Sequence, residues 1–144
     1  MSIYQSLTVT YSSLAENDVY RVSEQGNTTS TTSGYIISPE HPADYPHDGS
    51  SYSVTVAARA GLGVYLRTVH MNVRPEVKGA CADYVEVKCS VGDWNVAHCG
   101  NDPWRVSPER CHADVIVTLV TSTHNNFYRG FVIKFNCEYL FNQH

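Results

Sequence analysis

The chain has 144 residues, 42% of them hydrophobic and 17% charged, with a formal net charge of −4. That length suits one domain around one core, and a mildly acidic balance with ten Lys and Arg scattered along the sequence gives no footprint for nucleic acid. The longest apolar run, Val115-Ile116-Val117 with Leu119 and Val120 beyond Thr118, falls far short of the roughly 20 residues that span a bilayer.

No charged stretch followed by an apolar one opens the chain, so no signal peptide is read there, and Met1-Ser2 starts either a mature segment or a protein that is not exported. Helical periodicity is nearly absent, and short alternation between turn residues takes its place. Residues 7–11 alternate, and residues 19–22 offer another short strand. Residues 26–33 run Gly-Asn and then only Thr and Ser, with no apolar side chain, and read as a loop or the end of an N-terminal extension. Within them Asn27-Thr28-Thr29 is an N-glycosylation sequon.

Residues 34–38 open a new strand, and Pro39, Pro42 and Pro46 then impose an irregular extended connection. Residues 53–56 alternate, Gly61-Leu62-Gly63 reads as a turn, and residues 64–69 and 84–88 are further strands. Residues 115–121 and 131–135 are the last two, joined by a polar segment ending in Gly130 that reads as a hairpin loop. About seven or eight short strands at this spacing predict an all-β chain folded as an antiparallel β-sandwich.

Five cysteines stand at 81, 89, 99, 111 and 137, none in a Cys-x-x-Cys pair, so they read as a disulfide framework in an oxidising compartment. The odd count leaves at least one thiol free or shared with another chain. Seven histidines show no zinc-binding spacing, and no Gly-x-Ser-x-Gly elbow is present. A Cys–His nucleophile pair through Cys89 is the one formal catalytic option, and a structural or intermolecular cysteine is favoured over it. The chain therefore reads as a non-enzyme.

Gly34-Tyr35-Ile36-Ile37-Ser38-Pro39-Glu40-His41-Pro42-Ala43-Asp44-Tyr45-Pro46 resembles the opening Gly-x-Ile-x-Ser-Pro-x-Tyr-Pro-x-x-Tyr-Pro pattern of the CUB domain family, with His41 for the first Tyr. Cys81-Ala82-Asp83-Tyr84-Val85-Glu86-Val87 is similar to that family's Cys-x-Tyr-Asp-Tyr-Val-Glu-Val, one residue shorter. His98-Cys99-Gly100 and Gly130-Phe131 match two later landmarks, so the resemblance covers residues 34–137. It implies a CUB-like jelly roll over residues 34–144, preceded by an N-terminal extension of residues 1–33 that can contribute a strand. The family's first disulfide is missing, because Ser50-Ser51-Tyr52 stands where its second cysteine and a Trp belong. The resemblance implies a Cys81–Cys99 bridge, a closure of a size that contributes roughly 3 kcal/mol. Cys111 precedes one predicted strand and Cys137 ends its hairpin partner, so Cys111–Cys137 is the expected second pair, with Cys89 left as the free or intermolecular thiol; connectivity itself is not fixed by sequence.

Many CUB domains bind Ca²⁺ between end loops. The resemblance carries the ligand positions to Glu76 and Asp83, with Asn126 as an added oxygen, but Thr123 stands where a third carboxylate belongs. Ca²⁺ takes six to eight oxygens, so the expectation is either weak binding or, as the favoured reading, Asp83 capping a turn and Glu76 in solvent. Tyr45, Trp94, Trp104, Tyr128 and Arg129 are the candidate partner contacts, with packing over Cys81–Cys99 the competing role for the two tryptophans. The expected function is secreted, non-catalytic recognition of an extracellular protein. The alternatives are a glycan-binding, spermadhesin-like protein, with acidity arguing against heparin, and a homo-oligomer linked through the odd cysteine.

Overall fold

A computed structural model describes residues 18–124 and 127–140 of the chain. Ten strands run in order: β1 (Val19–Arg21), β2 (Asn27–Thr29), β3 (Ser33–Ile37), β4 (Ser51–Val56), β5 (Leu62–Asn72), β6 (Tyr84–Cys89), β7 (Asn95–His98), β8 (Arg105–Val106), β9 (Val115–Val120) and β10 (Gly130–Tyr139). They form two five-stranded sheets, ordered β1-β3-β10-β5-β8 and β2-β4-β9-β6-β7. The predicted strand at residues 7–11 lies outside the described residues.

Period-two alternation builds the interior. In the second sheet Val54, Val56, Val85, Val87, Val115, Val117 and Leu119 point inward. They meet Ile36, Val64, Leu66, Phe131, Ile133 and Phe135 from the first sheet, and all thirteen are at most 2% exposed. Each such side chain contributes about 1.5–3 kcal/mol when removed from water, so this interface between sheets dominates the stability. A bulge in β5 opposite Val132 and Ile133 reverses the inward set, which keeps Met71 and Leu66 both facing the core.

The sheets are mixed rather than purely antiparallel, because β1 pairs parallel with β3 and β2 pairs parallel with β4. Residues 18–33 thus add one strand to each sheet, and Gly34 is the second residue of β3. The loop expected at residues 26–33 contains β2: threonine favours extended backbone, and Thr29 is buried with its amide partner row against Val56. Gly34 has a steric reason. A Cβ there would lie 2.6 Å from the Asp18 carbonyl oxygen and 2.9 Å from the Phe135 ring, so only glycine lets β1 close on β3.

The expected hairpin between the last two strands is overturned, since β9 sits in the second sheet and β10 in the first. Residues 121–129 instead cross from one sheet to the other. The cysteine pairing built on that hairpin is corrected with it: Cys89 pairs with Cys111, their Cα atoms 5.5 Å apart, and Cys137 is the free cysteine. Cys89 ends β6 opposite Val115, which brings it to the segment just ahead of β9, whereas Cys137 is carried off on the other sheet opposite Val64. A bridge also joins Cys81 and Cys99. The two disulfides therefore staple opposite ends of β6.

Candidate recognition site at the loop end

The segments 41–50, 72–83, 100–103, 121–124 and 127–129 converge at one end of the sandwich, and two carboxylates, one buried and one exposed, organise them. Tyr45 is 1% exposed, and its hydroxyl donates to Asp83 Oδ2 at 2.7 Å while accepting from the Arg74 amide at 3.1 Å. Asp83, fully buried, accepts at Oδ1 from the Ser122 amide at 2.7 Å. The Tyr45 amide in turn donates to the Tyr128 carbonyl at 3.1 Å. Three chain segments thus meet on one phenol–carboxylate pair. Burial, followed by the Asp83 carboxylate beside it, drives the Tyr45 phenol well above its ordinary pKa, so it stays a donor.

The second carboxylate is Asp48. It accepts from the Tyr52 hydroxyl at 2.5 Å, the Thr121 hydroxyl at 3.2 Å and the Ser50 amide at 3.1 Å. The Tyr52 hydrogen bond above all lowers its pKa. Tyr52 stands where the resemblance expects a Trp, so a phenol-to-carboxylate pin occupies the place of the missing disulfide and indole. Ser38 and Gly130 close the base of the loop: the Ser38 hydroxyl accepts from the Phe131 amide at 3.1 Å, and Gly130 has φ +91° with no room for a Cβ beside Ser38.

His41 replaces the family's first Tyr and is 2% exposed, its ring centroid 6.5 Å from that of His70. Burial lowers its pKa to about 4, and nearby Arg21, Arg129 and His70 add to the effect against a backbone hydrogen bond at Arg129. Burial also lowers His70.

Among the residues this end presents to solvent are two large apolar side chains: Phe127 is 82% exposed and Val77 59%, the latter beside a depression that Arg74 and His124 also line. Sequence reasoning named Tyr128 and Arg129 but not the adjacent Phe127, because exposure of one aromatic residue among several is set by the crossing of the chain between sheets.

The predicted site residues divide accordingly. Tyr45 is a correction: a partner-facing role is overturned by its burial and its two hydrogen bonds. Tyr128 is half-buried against the core, and Arg129 beside it contacts the His41 region. Trp94 and Trp104 pack on the core at the open edge between β7 and β8, away from Phe127; Trp104 stacks on His98 at 4.4 Å with an interplanar angle of 5°, next to Cys99. Cys89 lies in a disulfide and supplies no thiolate. Asn27 is exposed on β2.

The calcium positions do not assemble. Asp83 has no exposed surface and each of its oxygens already accepts a short hydrogen bond, while Glu76 points from an exposed turn. Asn126 lies outside the described residues. Among the described residues no three His, Cys, Asp or Glu converge to hold a metal ion.

No family model matches the sequence, and no curated protein sequence matches it. Solved structures do. The MASP-1 CUB2 domain bound to Ca²⁺ is similar at TM-score 0.66 and 23% identity, over 76% of this chain and 96% of that one. The CUB1-EGF-CUB2 region of human MASP-1/3 is similar at TM-score 0.67 and 23% identity, over 81% of this chain and 42% of that one. The full extracellular region of zebrafish Gpr126/Adgrg6 gives TM-score 0.62 and 21% identity, over 86% of this chain and 15% of that one. The chain is thus similar in fold to nearly all of one isolated CUB domain and to less than half of the longer proteins.

Proposed function

Starting from a CUB-like fold, we propose that this chain is a non-catalytic extracellular module that recognises another protein through its loop end, with Phe127 as the anchor. The observation that carries the reading is the contrast at that end. Phe127 is 82% exposed on a loop whose base is fixed through Ser122 to the buried Asp83–Tyr45 pair. An exposed aromatic side chain on a fixed loop offers contact area at low ordering cost, the property that distinguishes interface hot spots. Two disulfides support an oxidising compartment, and the exposed Asn27 is available to carry a glycan there. Enclosure of Cys89 in a bridge removes the one nucleophile the sequence offered. The MASP-1 CUB2 neighbour binds Ca²⁺. This chain orders its loop end by hydrogen bonds from Tyr45, Ser122, Tyr52 and Thr121, which supports recognition independent of tightly bound calcium.

The test is a screen of the purified domain, displayed multivalently, against an array of secreted and cell-surface ectodomains, with and without chelator. The expected result is a protein partner retained in chelator and lost on Phe127→Ala. Partners that bind Phe127→Ala equally well, or none at all, would overturn the reading.

A further inference from the structure

Register across the first sheet sets one row of side chains on its outer face. Arg21 of β1 is opposite Ile37 of β3, Ile37 is opposite Val132 of β10, and Val132 is opposite His70 of β5. Ile37 and Val132 are buried there in a small cluster of their own, apart from the core between the sheets. The chain that leaves β3 stays close to this row. Arg21 Nη1 donates to the carbonyl oxygens of Ser38, Pro39 and His41 at 3.2, 3.3 and 3.1 Å. The His41 ring, 2% exposed, has its centroid 6.5 Å from that of His70.

The same segment holds down the backbone that carries Phe127. Ser38 Oγ accepts from the Phe131 amide at 3.1 Å and donates to the Arg129 carbonyl at 3.4 Å. The Ser38 amide donates to the Phe131 carbonyl at 3.2 Å, and the Tyr45 amide to the Tyr128 carbonyl at 3.1 Å. His41 stands between those attachments. The charges that bear on its ring are all positive: Arg21 from β1, His70 from β5 and Arg129 from the crossing. β3 and β10 contribute Ile37 and Val132 to the row, neither of which titrates. His70 Nε2 is buried with no hydrogen-bond partner, so a proton placed there meets no acceptor. A proton on either ring therefore adds a cation to a buried site that already holds two arginines.

We propose that His41 and His70 form an acid-sensitive latch, closed at neutral pH, whose protonation frees residues 127–131 from the 38–45 segment and loosens the recognition end. The inference deepens the proposed function and rests on it for what is released: a partner held at Phe127 near neutral pH is let go in an acidified compartment. The sign follows from burial. The closed state holds His41 at about 4 against an ordinary 6.5, so opening takes up a proton once the pH falls below 6.5. His70, lowered by burial and by Arg129, acts in the same direction. Between pH 7 and pH 5 His41 alone favours the open form about twentyfold. The family pattern carries Tyr at this position, and a phenol does not titrate in that range. The histidine is thus what makes the latch respond to acid. Opening is local because only a few hydrogen bonds join residues 128–131 to the 38–45 segment, and the ladders of the second sheet are not among them.

The experiment is amide hydrogen exchange of the whole isotope-labelled chain, followed by NMR at pH 7 and pH 5 with no partner present. Relative to their unprotected rates, the amides of Ser38, Tyr45 and Phe131 should lose protection about twentyfold at pH 5. Their exchange should be insensitive to low urea, the mark of a local opening. The amides of β9, in the middle of the second sheet, should instead follow urea steeply, since they exchange through unfolding of the sandwich. His41→Tyr should remove most of the acid-induced loss, and His41→Tyr with His70→Gln all of it. In the unaltered chain the His41 imidazole signal should shift over the same pH range as the loss of protection, a readout that needs no variant to fold. Unchanged protection at pH 5, an equal loss in the double variant, urea dependence matching that of β9, or an imidazole titration displaced from the loss would overturn the latch. Because no partner is used, that failure would leave recognition through Phe127 standing, and a failed ectodomain screen at neutral pH would leave the latch standing.

Discussion

Tyr45 and Asp83, 38 positions apart, share a 2.7 Å hydrogen bond in a site from which water is excluded. The carboxylate accepts from the phenol on one oxygen and from the Ser122 amide on the other, so neither oxygen is left without a partner.

Removing one donor leaves that carboxylate short. Tyr45→Phe should destabilise the domain by about 1–3 kcal/mol, the cost of an unsatisfied buried acceptor, while Phe127→Ala on the same end should stay within about 0.5 kcal/mol. Urea unfolding of the two variants side by side checks this, and equal stabilities would contradict the role given to the pair.

Calcium should add little. Differential scanning calorimetry in millimolar CaCl₂ against chelator is expected to give superimposable transitions, and Asp83→Asn should not change that result. A calcium-dependent rise in melting temperature that Asp83→Asn removes would show that Asp83 is a ligand after all.

Acid should weaken the fold through His41. Its folded pKa is depressed to about 4 from 6.5, so below pH 6.5 the unfolded chain takes up a proton that the folded chain refuses. Stability is complete above pH 6.5 and falls as pH drops toward 4, by up to about 3 kcal/mol from this residue. His70 and His98, both depressed by burial, act in the same direction. Unfolding free energy measured from pH 7.5 to pH 4.5 should decline more steeply for the parent than for His41→Phe; parallel curves would contradict the assignment.

Thiol chemistry should count one cysteine. Cys137 is free, half-buried, and has its thiol pKa raised by burial, so native labelling with a thiol reagent should be slow and limited to one equivalent, and Cys137→Ser should abolish it. Cys89→Ala with Cys111→Ala should cost about 3 kcal/mol, as expected for closing a loop of 22 residues.

The two-residue alternation of buried valines made the sandwich legible: Val54 and Val56, Val85 and Val87, and Val115 to Leu119 show their inward faces in the sequence alone. Residues 27–29 were not legible, since their strand character comes from the β4 edge they join rather than from apolar pattern. Sheet membership was also hidden. A polar stretch between two strands looks the same whether it turns back within one sheet or crosses to the other, and the second cysteine pairing depended on that choice. Asp83 was singled out by the family resemblance, but its partners Tyr45 and Ser122 lie far away along the chain and meet it only through the fold.

The place of β10 bears on how the chain is made. It is the last described strand, yet it lies between β3 and β5, and β1 in turn hangs on β3. Nothing on the ribosome-distal side of the first sheet can be completed until the final stretch has been synthesised. Until then β3 and β5 have no partner between them, Ile36 and Leu66 stay uncovered, and closure of that sheet waits on long-range contacts. A truncation within β10 would therefore remove the seam joining two otherwise separate halves of the first sheet, and such a truncated chain should fail to fold.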